Sequence, residues 1–150
     1  MLATWKAATS RGLMIQMHFI PAYASQIAEL AKQVPSATVI LDHLGRNGMG
    51  SDSQWLEVLA LAKHRNTVMK FSGVNYSSKQ PWPHLDAMPR VRQLLDAFGP
   101  DRMIWGGLGM NMDEFKKANE QFSEFFAFTT EANRNKIKGG NAMRLFGWSK

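Results

Sequence analysis

The feature that most constrains this chain is an alternation, repeated four times, of a short apolar run rich in branched residues with a longer stretch of helical periodicity. Parallel strands need a crossover connection and a helix is the usual one, so the order marks an α/β fold with a parallel sheet. Residues 13–19 read as the first strand, 38–41 as the second, 67–74 as the third and 102–105 as the fourth. The first connecting helix follows Pro21, carries Ile27, Leu30, Ala31 and Val34, and stops near Pro35. The second follows the glycine-rich loop 45–50, takes Ser51, Asp52 or Ser53 as its cap, and sets Trp55, Leu56, Leu59 and Ala62 on one side. Pro89 opens the third, which bears Val91, Leu94, Leu95 and Phe98 and ends at Gly99-Pro100. A fourth, about 113–128, carries Phe115, Phe122, Phe125 and Phe126, and a last one runs from about Glu131 through Met143, Leu145 and Phe146.

No linker or low-complexity tract interrupts this order, so residues 1–150 are expected to form one domain. Four βα units are half of the eight that close a parallel barrel, which takes about 250 residues. The chain, four parallel βα units plus a C-terminal helix, therefore reads as half of something larger. Open strand edges invite pairing, so the chain is expected to self-associate as a homo-oligomer or to meet a complementing half.

Composition narrows the function classes. With 45% hydrophobic and 20% charged residues and no cysteine, the chain is neither disordered, collagen-like nor disulfide-stapled. Its net charge of +6 is scattered, with no basic run longer than Lys116-Lys117, which speaks against a nucleic-acid face. Nothing approaches a membrane span or a signal-peptide apolar core, and the missing cysteines agree with a cytoplasmic setting. Gly106-Gly107-Leu108-Gly109 is spaced GGxG, which matches neither nucleotide-binding fingerprint.

Parallel strands covered on both faces are normally apolar throughout, so the polar residues inside these runs need a reason. By strand alternation Met14, Gln16 and His18 share one face of the first run; Val39, Leu41 and His43 share a face of the second; Val68, Lys70 and Ser72 share a face of the third. His18 and His43 fall at the carboxyl ends of successive strands, where parallel α/β folds build their sites. Neutral imidazole is a common metal ligand and a ready acid or base, so the pair suits a metal or hydrolytic site. The two side chains should then lie within about 12 Å of one another, because ligands converge on one ion. His64 reads as a surface residue at a helix end and His84 as a loop residue.

Residues 39–46 (VILDHLGR), 68–73 (VMKFSG), 98–106 (FGPDRMIWG) and 140–147 (GNAMRLFG) together resemble the amidohydrolase-related family, TIM-barrel hydrolases and decarboxylases of the 2-pyrone-4,6-dicarboxylate lactonase type. The resemblance implies the C-terminal half of a (β/α)8 TIM barrel, strands five to eight, with His18 as the fifth-strand and His43 as the sixth-strand histidine. It implies that both are catalytic residues and ligands of a divalent metal, zinc foremost. Arg46 stands where lactonase-like members hold an arginine, and a guanidinium there suits a substrate carboxylate through two parallel hydrogen bonds. Lys70 and Ser72 are the further candidates for holding a small carboxylated lactone or amide.

Two departures qualify this. No first-strand His-x-His pair is present, and Leu108 occupies the place of the eighth-strand aspartate that binds metal or activates water, leaving Asp113 as a substitute. The leading expectation is a hydrolase completed by another chain or half; the alternative is a non-catalytic barrel half serving as a binding or assembly module.

Overall fold

The computed structural model describes residues 1–148. A helix at the amino end, α1 (Leu2–Thr9), precedes four strand-helix units: β1 (Ile15–Met17) with α2 (Ala24–Gln33), β2 (Val39–Leu41) with α3 (Asp52–Ala60), β3 (Thr67–Phe71) with α4 (Met88–Phe98), and β4 (Met103–Trp105) with α5 (Met112–Phe125). Short helices α6 (Glu131–Asn135) and α7 (Asn141–Phe146) close the order. All strand pairs are parallel, in the spatial order β1-β2-β3-β4. The expected α/β architecture of four successive βα units is what the chain adopts.

The strands are shorter than their apolar runs, and the helix expected from Glu131 is broken by a π-helical turn at Lys136–Gly140. The helix α1, which has little amphipathic pattern, was not anticipated; it is held by Trp5, 3% exposed. The second crossover helix is capped by Ser51, whose hydroxyl accepts from the Gln54 amide while the Gln54 side chain accepts from the Ser51 amide. Its buried line is Trp55, Val58 and Leu61, whereas Leu56, expected to face inward, is 63% exposed. Trp55, Val58 and Leu61 recur at three-residue intervals, and the helix axis follows them, so Leu56 falls on the opposite side.

The two faces of the sheet differ. Val39, Leu41, Met69, Phe71 and Met103 face the helices and join one continuous core. Phe71 packs against Phe122, Phe125 and Phe126, with ring centroids 5.0 to 6.1 Å apart. The opposite face has an apolar floor of Ile40, Val68 and Ile104, against which Ala142 and Leu145 of α7 pack. The Asn141 side chain fixes α7 there by donating to the Pro100 and Met103 carbonyls. Further along the first three strands the same face turns polar, with Gln16, Asp42 and Lys70, and Ser72 follows at the end of β3.

Candidate functional site

β1 and β2 end beside one another, so their successors His18 and His43 are brought together with ring centroids 4.9 Å apart. Alternation alone would not have done this. Val39 and Leu41 face the helices, and an extended backbone would send His43 the same way. The chain instead turns left-handed: φ is 53° at His43, 56° at Leu44, 63° at Gly45 and 48° at Arg46. Three side-chain-bearing residues in that region are costly, of the order of 1–2 kcal/mol each. The turn carries the His43 ring across to His18 and Ser72, so the expected shared face of Val39, Leu41 and His43 is corrected by backbone conformation.

Asp42, which the sequence reading did not single out, is the centre of the cluster. It is 3% exposed; its Oδ2 accepts from Gln16 Nε2 at 2.7 Å, and Lys70 Nζ lies 2.6 Å from Oδ1. The ammonium stands off the hydrogen-bonding direction, and Oδ1 has no hydrogen-bond donor among the described residues. The signal was available in register: Asp42 is two positions beyond Ile40 and level with the ends of β1 and β3, so it joins Gln16 and Lys70 on the inner face. Gly106 lets the Lys70 stem cross β4, since a Cβ there would stand 3.0 Å from Lys70 Cδ.

His43 is 9% exposed, and its Nδ1 is 2.8 Å from the hydroxyl of Ser72, itself 4% exposed. Burial pushes the His43 imidazole below its ordinary 6.5; Asp42 opposes this, while His18, Lys70 and Arg46 reinforce it. The ring is therefore neutral at pH 7. Tyr76, from the turn Val74–Ser77, stands between His43 and Arg46: its ring centroid is 5.5 Å from that of His43 and 4.3 Å from Arg46 Cζ. No pattern in the sequence marks Tyr76. Arg46 Nε is buried with no hydrogen-bond partner among the described residues, and the residue lines a cavity of about 440 Å³ with His18, Tyr23 and Gln26.

The remaining expectations separate from this cluster. Leu108 is 59% exposed and borders a smaller cavity of about 200 Å³ with Ser72, Trp82 and Trp105. Asp113, considered as its carboxylate substitute, is an exposed residue at the start of α5, 3.8 Å from Lys116.

His18, Asp42 and His43 each offer one ligand atom, and the three atoms lie within 4.8 Å of one another. Two nitrogens and one oxygen are the number and kind of donors in a catalytic zinc site, though tetrahedral ligands stand closer, roughly 3.4 Å apart. The orphaned Asp42 Oδ1 is the natural third donor. The set thus fits a divalent ion, on condition that the Lys70 ammonium moves off that carboxylate.

The family model described as Amidohydrolase matches residues 2–148. A curated L-fucono-1,5-lactonase from Burkholderia ambifaria is 30% identical over 90 residues, which are 57% of this chain and 31% of that one. A D-galactarolactone isomerase from Agrobacterium fabrum is 34% identical over 70 residues, 45% of this chain and 24% of that one. The solved structure of an amidohydrolase from Burkholderia multivorans with bound zinc superposes with a TM-score of 0.82 at 18% identity, covering 97% of this chain and 56% of that one. This chain therefore spans about a third or less of the curated relatives and a little over half of the solved barrel, as the C-terminal half of such a barrel would.

Proposed function

Because the chain belongs to the amidohydrolase family, we propose that it carries the histidine-bearing half of a hydrolase that opens small carboxylated lactones or the corresponding amides. The observation that carries this is the convergence of His18, Asp42 and His43 at the carboxyl ends of adjacent strands. Two relatives are named for lactones, and galactarolactone, the lactone of a diacid, keeps a free carboxyl group. Arg46 suits that group: its Nε lacks a partner among the described residues, its guanidinium is braced on Tyr76, and the cavity beside it and His18 lies in the size range of small-ligand sites, about 300–1,000 Å³.

In this reading the lactone carbonyl sits against the two rings with its carboxylate on Arg46. His18, exposed at the cavity mouth, takes a proton from the attacking water and returns it to the ring oxygen as the C–O bond breaks. Neutral His43 donates a hydrogen bond to the carbonyl oxygen as negative charge develops there. Lys70 holds Asp42 in place and presents a second cation at the inner face. Zinc is the metal proposed: His18, His43 and Asp42 would hold it, and when bound it would supply Lewis-acid polarisation of the carbonyl in place of the proton and hydrogen-bond roles of the two rings.

Residues 1–150 act here as one domain in a cytoplasmic setting, and the open edges of β1 and β4 are covered by a second copy or by a complementing barrel half. The test is ring opening of D-galactarolactone, with L-fucono-1,5-lactone as the carboxylate-free comparison and with bound zinc and light scattering measured in parallel. Expected are an associated species, substoichiometric zinc, and slow turnover that is abolished in His43→Ala and rises when a complementary half is added. Turnover that survives His43→Ala would overturn the assignment.

A further inference from the structure

The contact between Ser72 and His43 has a direction, and buried polar accounting supplies it. A serine hydroxyl carries one proton and must place it on an acceptor when water is excluded. The Ser72 side chain is 4% exposed, and its hydrogen bond to His43 Nδ1, 2.8 Å, is the only one it makes among the described residues. Were Nδ1 the donor, the hydroxyl proton would have no acceptor among the described residues. Neutral imidazole has one acceptor nitrogen and one donor, so an acceptor at Nδ1 leaves the proton on Nε2.

The backbone holds this contact in place from both sides. Gly73 is left-handed, with φ 56°, and a Cβ on it would stand 2.7 Å from His43 Nδ1, so no other residue lets the β3 turn pass so close beneath the ring. On the other side, the left-handed run from His43 to Arg46 directs the ring at Ser72.

We infer that Ser72 is a positioning residue: its hydroxyl donates to His43 Nδ1 and fixes the imidazole as the Nε2–H tautomer, so that His43 meets its ligand as a hydrogen-bond donor. That this ligand is a lactone carbonyl rests on the proposed function; the tautomer does not. In this resting state Nε2 has no free lone pair, and a metal reaching it must remove that proton and reverse the Ser72 bond, which sets Ser72 against metal binding.

The experiment is long-range proton–nitrogen correlation on the full chain, labelled with nitrogen-15 histidine and freed of metal by chelation, at about pH 8 where imidazole is neutral. His43 is assigned by the resonances lost in His43→Asn. The expected spectrum has an imine-type Nδ1 and a pyrrole-type Nε2. In Ser72→Ala the Nδ1 resonance should shift toward that of an imine nitrogen with no donor, and an Nδ1–H population should emerge; Ser72→Thr, which keeps the hydroxyl, should restore the native pattern. A pyrrole-type Nδ1 in the native chain, or an Nδ1 resonance unmoved in folded Ser72→Ala, overturns the inference. If Ser72→Ala does not fold, the native and Ser72→Thr spectra decide, the latter overturning the inference if its Nδ1 is pyrrole-type. All spectra are taken without substrate, so failure of lactone hydrolysis bears on the proposed function alone.

Discussion

The two faces of the four-stranded sheet follow different rules. Toward the helices, the inward residues are apolar except Thr67, whose hydroxyl is bonded to the Leu61 and His64 carbonyls, and their neighbours are interchangeable in kind, as in the contacts of Phe71 with three phenylalanines. Toward the barrel interior, apolar character stops at the floor, and beyond it each polar group has one specific partner: Gln16 and Lys70 on Asp42, Ser72 on His43. The first face gains its stability from area and shape. The second holds an arrangement, and its backbone is left-handed where the arrangement demands it. The lesson is that stability and chemistry are divided between the two faces of short strands by the alternation of side chains, with a left-handed turn adding His43 to the chemical face.

That division can be broken most severely on the helix side. Phe71→Ala removes a ring that is 1% exposed, and should cost about 3–5 kcal/mol in denaturant unfolding. On the interior side, Asp42→Leu strands the Lys70 ammonium, while the amide of exposed Gln16 turns to solvent; because Lys70 is 19% exposed, the cost should be nearer 2 kcal/mol. Combining it with Lys70→Met sharpens the contrast, because removing both charges should recover most of that loss. If the double variant is as unstable as the single one, the pair is not the reason for the loss.

The interior face should also respond to pH where the helix side does not. His43 titrates below its ordinary 6.5 in the folded chain, so below about 6.5 the unfolded chain binds the extra proton first. The contribution of this group is therefore complete above that pH and is lost as pH falls through the folded value. Unfolding followed between about pH 8 and pH 5 should show the native chain losing more stability than His43→Gln does; equal slopes would refute it. The smallest effect belongs to Leu56→Gln, within about 0.5 kcal/mol, since that side chain faces solvent.

How much of this the sequence disclosed follows the same division. The helix side was readable because area and period are properties of composition: Val91, Leu94, Leu95 and Phe98 are buried as their spacing implies. His18 and His43 were placed at strand ends correctly, but the parity that puts His43 with Val39 and Leu41 fails, because a run of positive φ leaves no trace when histidine, leucine and arginine occupy it. Asp42 was hidden for a related reason. Its role depends on inter-strand register, which aligns it with Lys70, 28 positions away in the chain and on the neighbouring strand. Tyr76 and Leu56 depend on the angle at which a turn or helix meets the sheet, which no local period encodes.

The helix α7 limits how any barrel could be completed around this chain. It already sits on the interior floor, with Ala142 and Leu145 against Ile40, Val68 and Ile104, and is tied there by Asn141. The enclosed space of an eight-stranded barrel is just filled by the side chains of its own strands. Two copies closing one barrel would bring two such plugs to a single floor, related by a two-fold axis that gives neither precedence. Closure by self-pairing therefore requires both helices to leave, whereas a partner half lacking a plug can close over one α7 left in place.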